Sequence, residues 1–386
     1  MGVGRRSVGN MKKSVYDPDE DGKIALAQLV AAVCSETEAD GKITTHAGLS
    51  DPHTNLRKAI AAGEPLTLEQ MLALVGFVWT GETGEDDSYA IVQDADYVYV
   101  GLDVDPAKVI KISKETMTTV AIWTGETDED YCEGLAQDTD YIYAGLCVTP
   151  GKVIKIAKST MATVDTWTGE TGEDDCTALT QDTNYIYAGL YTSPAKVVRI
   201  TKSNMTTLAV WTGEAGENKS YALVQDTDYV YTGLLTTPDK VIKITKATMA
   251  TADTWAGGDS NCYALTQDDD YVYAAPDIMT AKVIKITKAT MVTSATWTGE
   301  TGEDNCNSLT QDDNYIYAGL YGTTPTKVIK IAKSTMTTVA AWTGEVGENM
   351  CNALTKDADY IYAGLLTGPA KVIKIDNRRR FPHFWE

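Results

Sequence analysis

Between Trp79 and Ile375 this chain of 386 residues has no histidine and a single arginine, Arg199. Its three histidines, His46, His53 and His383, all lie outside that stretch. A histidine base, a histidine-ligated metal and a Ser-His-Asp arrangement are therefore excluded from most of the chain. The scarcity of arginine removes the side chain best suited to bidentate phosphate contacts. With 33 basic against 54 acidic residues the formal charge is −21, so nucleic acid and anionic lipid are not expected partners. No apolar run approaches the roughly 18 residues that a membrane-spanning helix needs, so membrane insertion is not expected. The basic opening MGVGRRSVGNMKKSVYD has no apolar stretch behind it and does not read as a secretory signal. Met11 offers a second start, which would make residues 1–10 an extension.

What is present is a repeat. Trp79, Trp123, Trp167, Trp211, Trp255, Trp297 and Trp342 stand at steps of 44, 44, 44, 44, 42 and 45 residues. The copy WTGETGEDDCTALTQDTNYIYAGLYTSPAKVVRITKSNMTTLAV (167–210) shows the pattern. A period of this size with several short strands per copy predicts an all-β chain folded as a seven-bladed β-propeller with four-stranded blades. In this copy the strands are expected at 176–182, 185–191, 196–201 and from Met205 to Trp211. Val, Ile, Tyr and Thr fill them, while Asp, Asn, Gly and Pro fill the connections. The tryptophans read as packing between blades, or as a repeated platform for stacking sugars. Lysines of the third strand, such as Lys240 and Lys243, are expected to lay their stems on apolar surface and reach solvent.

The ends of the array suggest how it closes. The last copy stops after its third strand, and LALVGFVW (72–79) precedes the first loop. Strand 72–79 is expected to complete the blade formed by 351–376, which removes an open sheet edge. The domains are then an N-terminal arm or attachment segment, mostly helical or irregular (1–66), the propeller (67–376) and a tail (377–386). The fifth copy has lost two loop residues and changed its second turn to YAAPDIMTAK, so its blade is expected to differ at two rims.

Each tryptophan is followed by an acidic loop. The pairs Glu82 and Glu85, Glu126 and Glu129, Glu170 and Glu173, Glu214 and Glu217, Glu300 and Glu303, and Glu345 and Glu348 are expected to form a carboxylate ring on one face. Such a ring can hold divalent cations, face a basic partner or simply be solvated. Cys132, Cys176, Cys262, Cys306 and Cys351 share one column with Ser88 and Ser220, which reads as small buried side chains. In the arm, DPDEDGKI (17–24) places Asp17, Asp19 and Asp21 as at the start of a calcium loop. The twelfth position is Gln28, so the bidentate carboxylate is missing and a turn before ALAQLVAAV (25–33) is the other reading. Ca2+ is the one cofactor considered.

Two resemblances add to this. MKKSVYDPDEDGKIALAQ (11–28) and THAGLSDPHTN (45–55) resemble short segments of bacteriophage tail-fibre and other virion proteins. The blades resemble YVTN-type surface propellers, with YVYxG-like, KVxKI-like and TxxTVxTW-like strands. The first resemblance implies a virion or extracellular surface location. With the histidine-free blades arguing against catalysis, they lead to the expectation of a non-enzymatic, tail-fibre-like propeller that binds a protein or glycan on a cell or particle surface. The alternative is a prokaryotic surface or secreted propeller serving as a multivalent lectin or protein scaffold. A polysaccharide hydrolase or lyase, working through paired carboxylates, is the third class.

Overall fold

The computed structural model describes residues 77–377 and, ahead of them, the strands Lys23–Ile24 and Leu66–Thr67, which pair antiparallel with each other. Asp17, Asp19 and Asp21, the expected helix at 25–33, the phage-like segments 11–28 (apart from Lys23–Ile24) and 45–55, and the tail beyond Asn377 lie outside the described residues.

Seven four-stranded antiparallel sheets follow one another. We number the blades I to VII from their first strands, which begin at Ser88, Cys132, Cys176, Ser220, Cys262, Cys306 and Cys351. Blade III is representative: strands Cys176–Gln181, Tyr185–Leu190, Lys196–Thr201 and Thr206–Thr212 pair in that order. Each first strand packs against the first strands on either side, and Cys351–Lys356 meets Ser88–Gln93, so the inner ring is closed. In blade VII the outer strand is Phe77–Thr80, which follows Lys371–Asp376 in the sheet. Of the 72–79 expected, residues 77–79 are described and lie in this strand, and residues 72–76 are outside the described set.

Three columns of side chains join each blade to the next. The first is the tryptophan column. Six indoles, Trp79 through Trp297, are buried, and their Nε1–H groups donate to threonines on the neighbouring outer strand. Trp79 donates to Thr119, Trp123 to Thr163, Trp167 to Thr207, Trp211 to Thr251, Trp255 to Thr293 and Trp297 to Thr338, all at 2.8–2.9 Å. Burial of the rings takes them out of reach of a stacked sugar. Trp342 is half-buried, and four residues before Trp79, where the other copies carry these threonines, the chain has Val75.

The second column is tyrosine and aspartate. Tyr99, Tyr143, Tyr187, Tyr231, Tyr273, Tyr317 and Tyr362 are fully buried, and each hydroxyl donates to the aspartate five residues earlier. The same aspartates accept backbone N–H groups that close the first turn, as Asp138 does from Asp140 and Tyr141. A lysine of the following blade then reaches the second oxygen, as Lys202 reaches Asp138 at 3.1 Å. Burial opposes ionisation of Asp138, but the hydrogen bonds from Tyr143, Lys202 and Tyr141 hold it below the usual carboxylate range.

The third column is the third-strand cation. Lys243 lies 4.1 Å from the centre of the Tyr229 ring and donates to the carbonyl of Lys288 in the next blade. Lys240 pairs with Glu217 at 3.0 Å. Both lysines are half-buried, so their ammonium groups pair while still in reach of solvent. For Lys243 a charge-assisted bond and a ring face together hold the ammonium group in place.

The cysteine column is buried, and burial pushes the thiols of Cys132, Cys176, Cys262, Cys306 and Cys351 up, away from thiolate. The sulfur of Cys176 sits 2.7 Å from where a Cβ on Gly145 would stand, which explains the glycine of the YIYAGL strand.

Candidate functional site at the axial mouth

The acidic loops divide into two chemically different halves. Glu82, Glu126, Glu170, Glu214 and Glu300 are exposed, and Glu345 is half-buried. Glu85, Glu129, Glu173, Glu217, Glu303 and Glu348 are buried. Each buried carboxylate accepts the backbone N–H of the glutamate three residues before it, as Glu85 does from Glu82 at 3.0 Å. Five of them also meet the first lysine of the third strand: Glu85 with Lys108, Glu129 with Lys152, Glu173 with Lys196, Glu217 with Lys240 and Glu303 with Lys327. The expected ring of twelve carboxylates is therefore split, with one half shaping the loop from inside. Among the described residues, no group of three or more His, Cys, Asp or Glu side chains could hold a metal ion.

Blade V departs from the pattern on one face only, since its shortened loop and altered turn meet there. Asp277 N–H donates to the carbonyls of Ser260 and Asn261. Asp259 replaces the buried glutamate and pairs with Lys282 at 2.9 Å. Asp239, fully buried in the preceding blade's turn, accepts the Asp259 N–H, while its Oδ2 has no partner. Burial raises its pKa, against the hydrogen bond from Asp259 N–H and with the charge of Asp259 adding to the rise.

A different set of residues marks a single place on that same face. Every first strand carries a bulge at its start, between Ser88 and Ala90 in blade I and between Cys176 and Ala178 in blade III. The extra residue is unpaired in the ladder and its side chain is re-aimed. From blade I to VII these residues are Tyr89, Glu133, Thr177, Tyr221, Tyr263, Asn307 and Asn352. They lie at the end of the inner ring, and neighbours touch. The Tyr221 and Tyr263 rings meet edge to face at 5.0 Å, Asn307 Nδ2 reaches Asn352 Oδ1, and Asn352 Nδ2 reaches the Tyr89 carbonyl.

Beside them stand the residues just after each second strand: Asp103, Cys147, Tyr191, Leu235, Asp277, Tyr321 and Leu366. Backbone bonds tie these to the residues before each bulge, as Asp103 N–H donates to Asp87 and Cys147 N–H to Tyr131. These neighbours, Asp87, Tyr131, Asp175, Lys219, Asn261, Asn305 and Met350, all hold left-handed φ values between 46° and 57°. The three columns change chemical class from copy to copy, whereas the Tyr–Asp column is invariant. The outer strands vary too, but mainly among threonine, alanine and aliphatic residues on the rim.

The mouth is asymmetric. Blades I to III bring Asp87, Asp103, Glu133 and Asp175 together with Tyr89 and Tyr131, while blades III to VI bring Tyr191, Tyr221, Tyr263 and Tyr321 together with Asp277. Burial and the charge of Asp103 push Glu133 up to about 7, against the hydrogen bond it receives from Cys147. Burial raises Asp87, with Asp86 adding to it, and raises Asp103, with Asp87 adding. Across the axis, burial and then the charge of Glu133 raise Tyr221, with Tyr89 also contributing. Lys219 lies against the aromatic side, 3.0 Å from the Tyr191 hydroxyl and 4.2 Å from that ring's centre. Sequence reading passed over these columns because it followed what the copies share. The signal was the converse: positions that differ at the same offset in nearly every copy.

No family model matches the chain, and no curated protein does. Solved structures do. The computationally designed protein Ika8 aligns over 77% of this chain and 98% of its own, with a TM-score of 0.56 and 15% identity. U3-55K aligns over the same shares with a TM-score of 0.64 and 12% identity. The likeness is one of fold. At such identity it carries no activity, substrate or partner across.

Proposed function

We propose that this propeller is a non-enzymatic binding protein whose ligand is taken at the axial mouth. One observation carries the reading: in seven nearly identical copies, chemistry-bearing side chains diverge where seven strand ends meet around one axis. Seven equal side chains at one axis make only a symmetric surface, and divergence makes a site with a front and a back. The lack of histidine in the blades, together with a mouth built from tyrosines, amides and carboxylates, favours recognition over turnover. The surface assignment, on a phage-like particle or a cell, rests on the resemblance of 11–28 and 45–55 to tail-fibre segments. The ligand is then a protein or glycan of the surface that the particle or cell meets.

The test is a variant in which Tyr89, Glu133, Tyr221 and Tyr263 all become threonine, the residue that blade III carries as Thr177. Wild-type chain and variant are compared on panels of bacterial cells and immobilised glycans. The expected result is an unchanged melting profile with loss of retention. Equal retention by a folded variant rejects the axial reading. Loss that instead follows the exposed glutamates, such as Glu170 and Glu214, favours the repeated-site lectin.

A further inference from the structure

We infer that the ring has one built-in opening point, the seam between blades VI and VII, whatever ligand the mouth takes. Five ties recur from seam to seam around the propeller, and at this seam all five are lost or replaced.

Two of them lie toward the outer rim. The indole–threonine bond joins six seams, whereas Trp342, the indole of the VI–VII seam, is half-buried and has Val75 at the threonine's place in the sequence. The loop carboxylates form the second tie. Glu85, Glu129, Glu173, Glu217, Asp259 and Glu303 each pair with the first lysine of the third strand in the blade they lead into, at 2.9–3.8 Å. Glu348, which leads into blade VII, has no ion pair among the described residues.

The other three lie on the face of the first turns. The glutamine ending each first strand donates to the same place in the preceding blade, as Gln181 does to the Gln137 carbonyl at 2.9 Å. Blade VII has Lys356 there, which brings no amide to Gln311. The tyrosine-bound aspartates meet a lysine of the next blade at 2.9–3.3 Å in six seams, but Asp312 meets Lys356 only at 4.0 Å. The third-strand cations reach a backbone carbonyl of the next blade, as Lys285 reaches that of Lys333 at 3.0 Å. Lys330 reaches the Asn377 side chain instead, at 3.2 Å.

The cause is how the ring closes. Blade VII takes its outer strand from the other end of the array, so the chain leaves its third strand at Asn377 without the lysine that the other blades carry there. The seam on its other side is intact. Between blades VII and I stand Trp79 with Thr119, Glu85 with Lys108, Gln93 with Lys356, Lys114 with Asp357, and Lys374 with the Lys114 carbonyl. Blade VII is therefore expected to part from blade VI and stay with blade I. Each tie is weak alone, but local opening follows the boundary where their sum is smallest.

The chain carries its own reporters of this motion. Cys132, Cys176, Cys262, Cys306 and Cys351 are fully buried at the same place in five of the seven seams, so their thiols compare like with like. Cys132 packs against Gly101 of blade I as Cys351 packs against Gly319 of blade VI. The experiment is native-state labelling of the full chain with a maleimide, stopped at intervals and read by peptide mass spectrometry. Cys351 is expected to label at least about ten-fold faster than the other four. Thr163→Val with Gln137→Leu removes two ties from the I–II seam. It is expected to raise the Cys132 rate toward that of Cys351 and to leave Cys351 unchanged. Thermal melts check folding, and Thr163→Val alone carries the test if the double variant unfolds.

Labelling of all five thiols at one rate, the mark of global unfolding, would overturn the inference, as would a Cys351 rate no higher than that of Cys306. An unchanged Cys132 rate in the folded variant would show that these ties do not control opening, and would overturn it too.

Discussion

Lys356 Nζ lies 4.0 Å from Asp312 Oδ2, filling a place that every other blade fills with a lysine from a different position. Elsewhere the partner comes from the turn after the third strand, as Lys158 for Asp94, Lys246 for Asp182 and Lys333 for Asp268. In blade VII that turn position is Asn377, whose Oδ1 accepts from Lys330 and lies 2.7 Å from the Tyr317 hydroxyl oxygen. The first strand compensates, because Lys356 stands where the other six blades have glutamine. One positive charge has moved from the third strand's end to the first strand, and the Asp312 carboxylate keeps a cation.

The first prediction follows from this exchange. Lys356→Gln alone should cost about 0.5–1 kcal/mol, the usual value of a half-buried pair. Combined with Asn377→Lys, which restores the pattern of the other blades, most of that loss should return. Denaturant midpoints of the two single variants and the double variant give the coupling, and strict additivity would remove the compensation argument.

The tyrosine–aspartate column makes a second prediction. Tyr143→Phe removes the 2.7 Å bond to Asp138 and should cost ~1 kcal/mol, leaving the ring's packing intact. The aspartates of this column have lowered pKa values in the folded state. Their contribution is complete above the unfolded carboxylate value near 4 and is lost as pH falls through the folded values. Stability should therefore drop steeply below about pH 4, and less steeply in a variant with Asp138→Asn.

Asp239 behaves with the opposite sign. Its pKa is raised by burial, so ionisation costs folding free energy as pH rises above the unfolded value. Asp239→Asn keeps an oxygen for the Asp259 N–H and removes the charge. Its melting temperature should exceed that of the parent at pH 7, with the gain shrinking as pH approaches 4. A loss at pH 7 would mean that the carboxylate is held ionised by a partner.

The tryptophan column predicts a graded series. Trp167→Phe removes the bond to Thr207 and leaves a small cavity, for a cost of about 2–3 kcal/mol. Thr207→Val isolates the hydrogen bond and should cost ~1 kcal/mol. Trp342→Phe should cost less than Trp167→Phe, because Trp342 is only half-buried. Chemical denaturation of the three variants places them in that order or refutes it.

The closing strand can be tested by truncation. A chain beginning at residue 61 should keep the parent's melting profile. One beginning at residue 81 lacks Phe77–Thr80, leaves Lys371–Asp376 as an open edge and should melt earlier and aggregate. Equal melting of the two would show that the strand adds nothing to closure.

The number of blades, the strand order and the shared last blade were legible in the sequence, because period and strand patterning are local properties. The third strand Lys196–Thr201 falls where Val197, Val198 and Ile200 predict it. Burial of Glu85 and its equivalents was not legible. A glutamate in a Gly-rich loop reads as solvated until the lysine of the third strand, 23 residues away, is brought to it by folding. The meeting of blade V's two changes on one face was hidden for the same reason.

By itself, the sequence determined the propeller and what its blades cannot do: with no histidine between Trp79 and Ile375, histidine chemistry is absent from the ring. Tertiary structure alone decided which of the many carboxylates remain available. Closure of seven first strands turns the loop glutamates inward to lysines and gathers Tyr89, Glu133, Tyr221 and Tyr263, from four distant stretches of chain, at one mouth. The reason is physical: burial and pairing depend on neighbours in space, and neighbours exist only once the ring is closed.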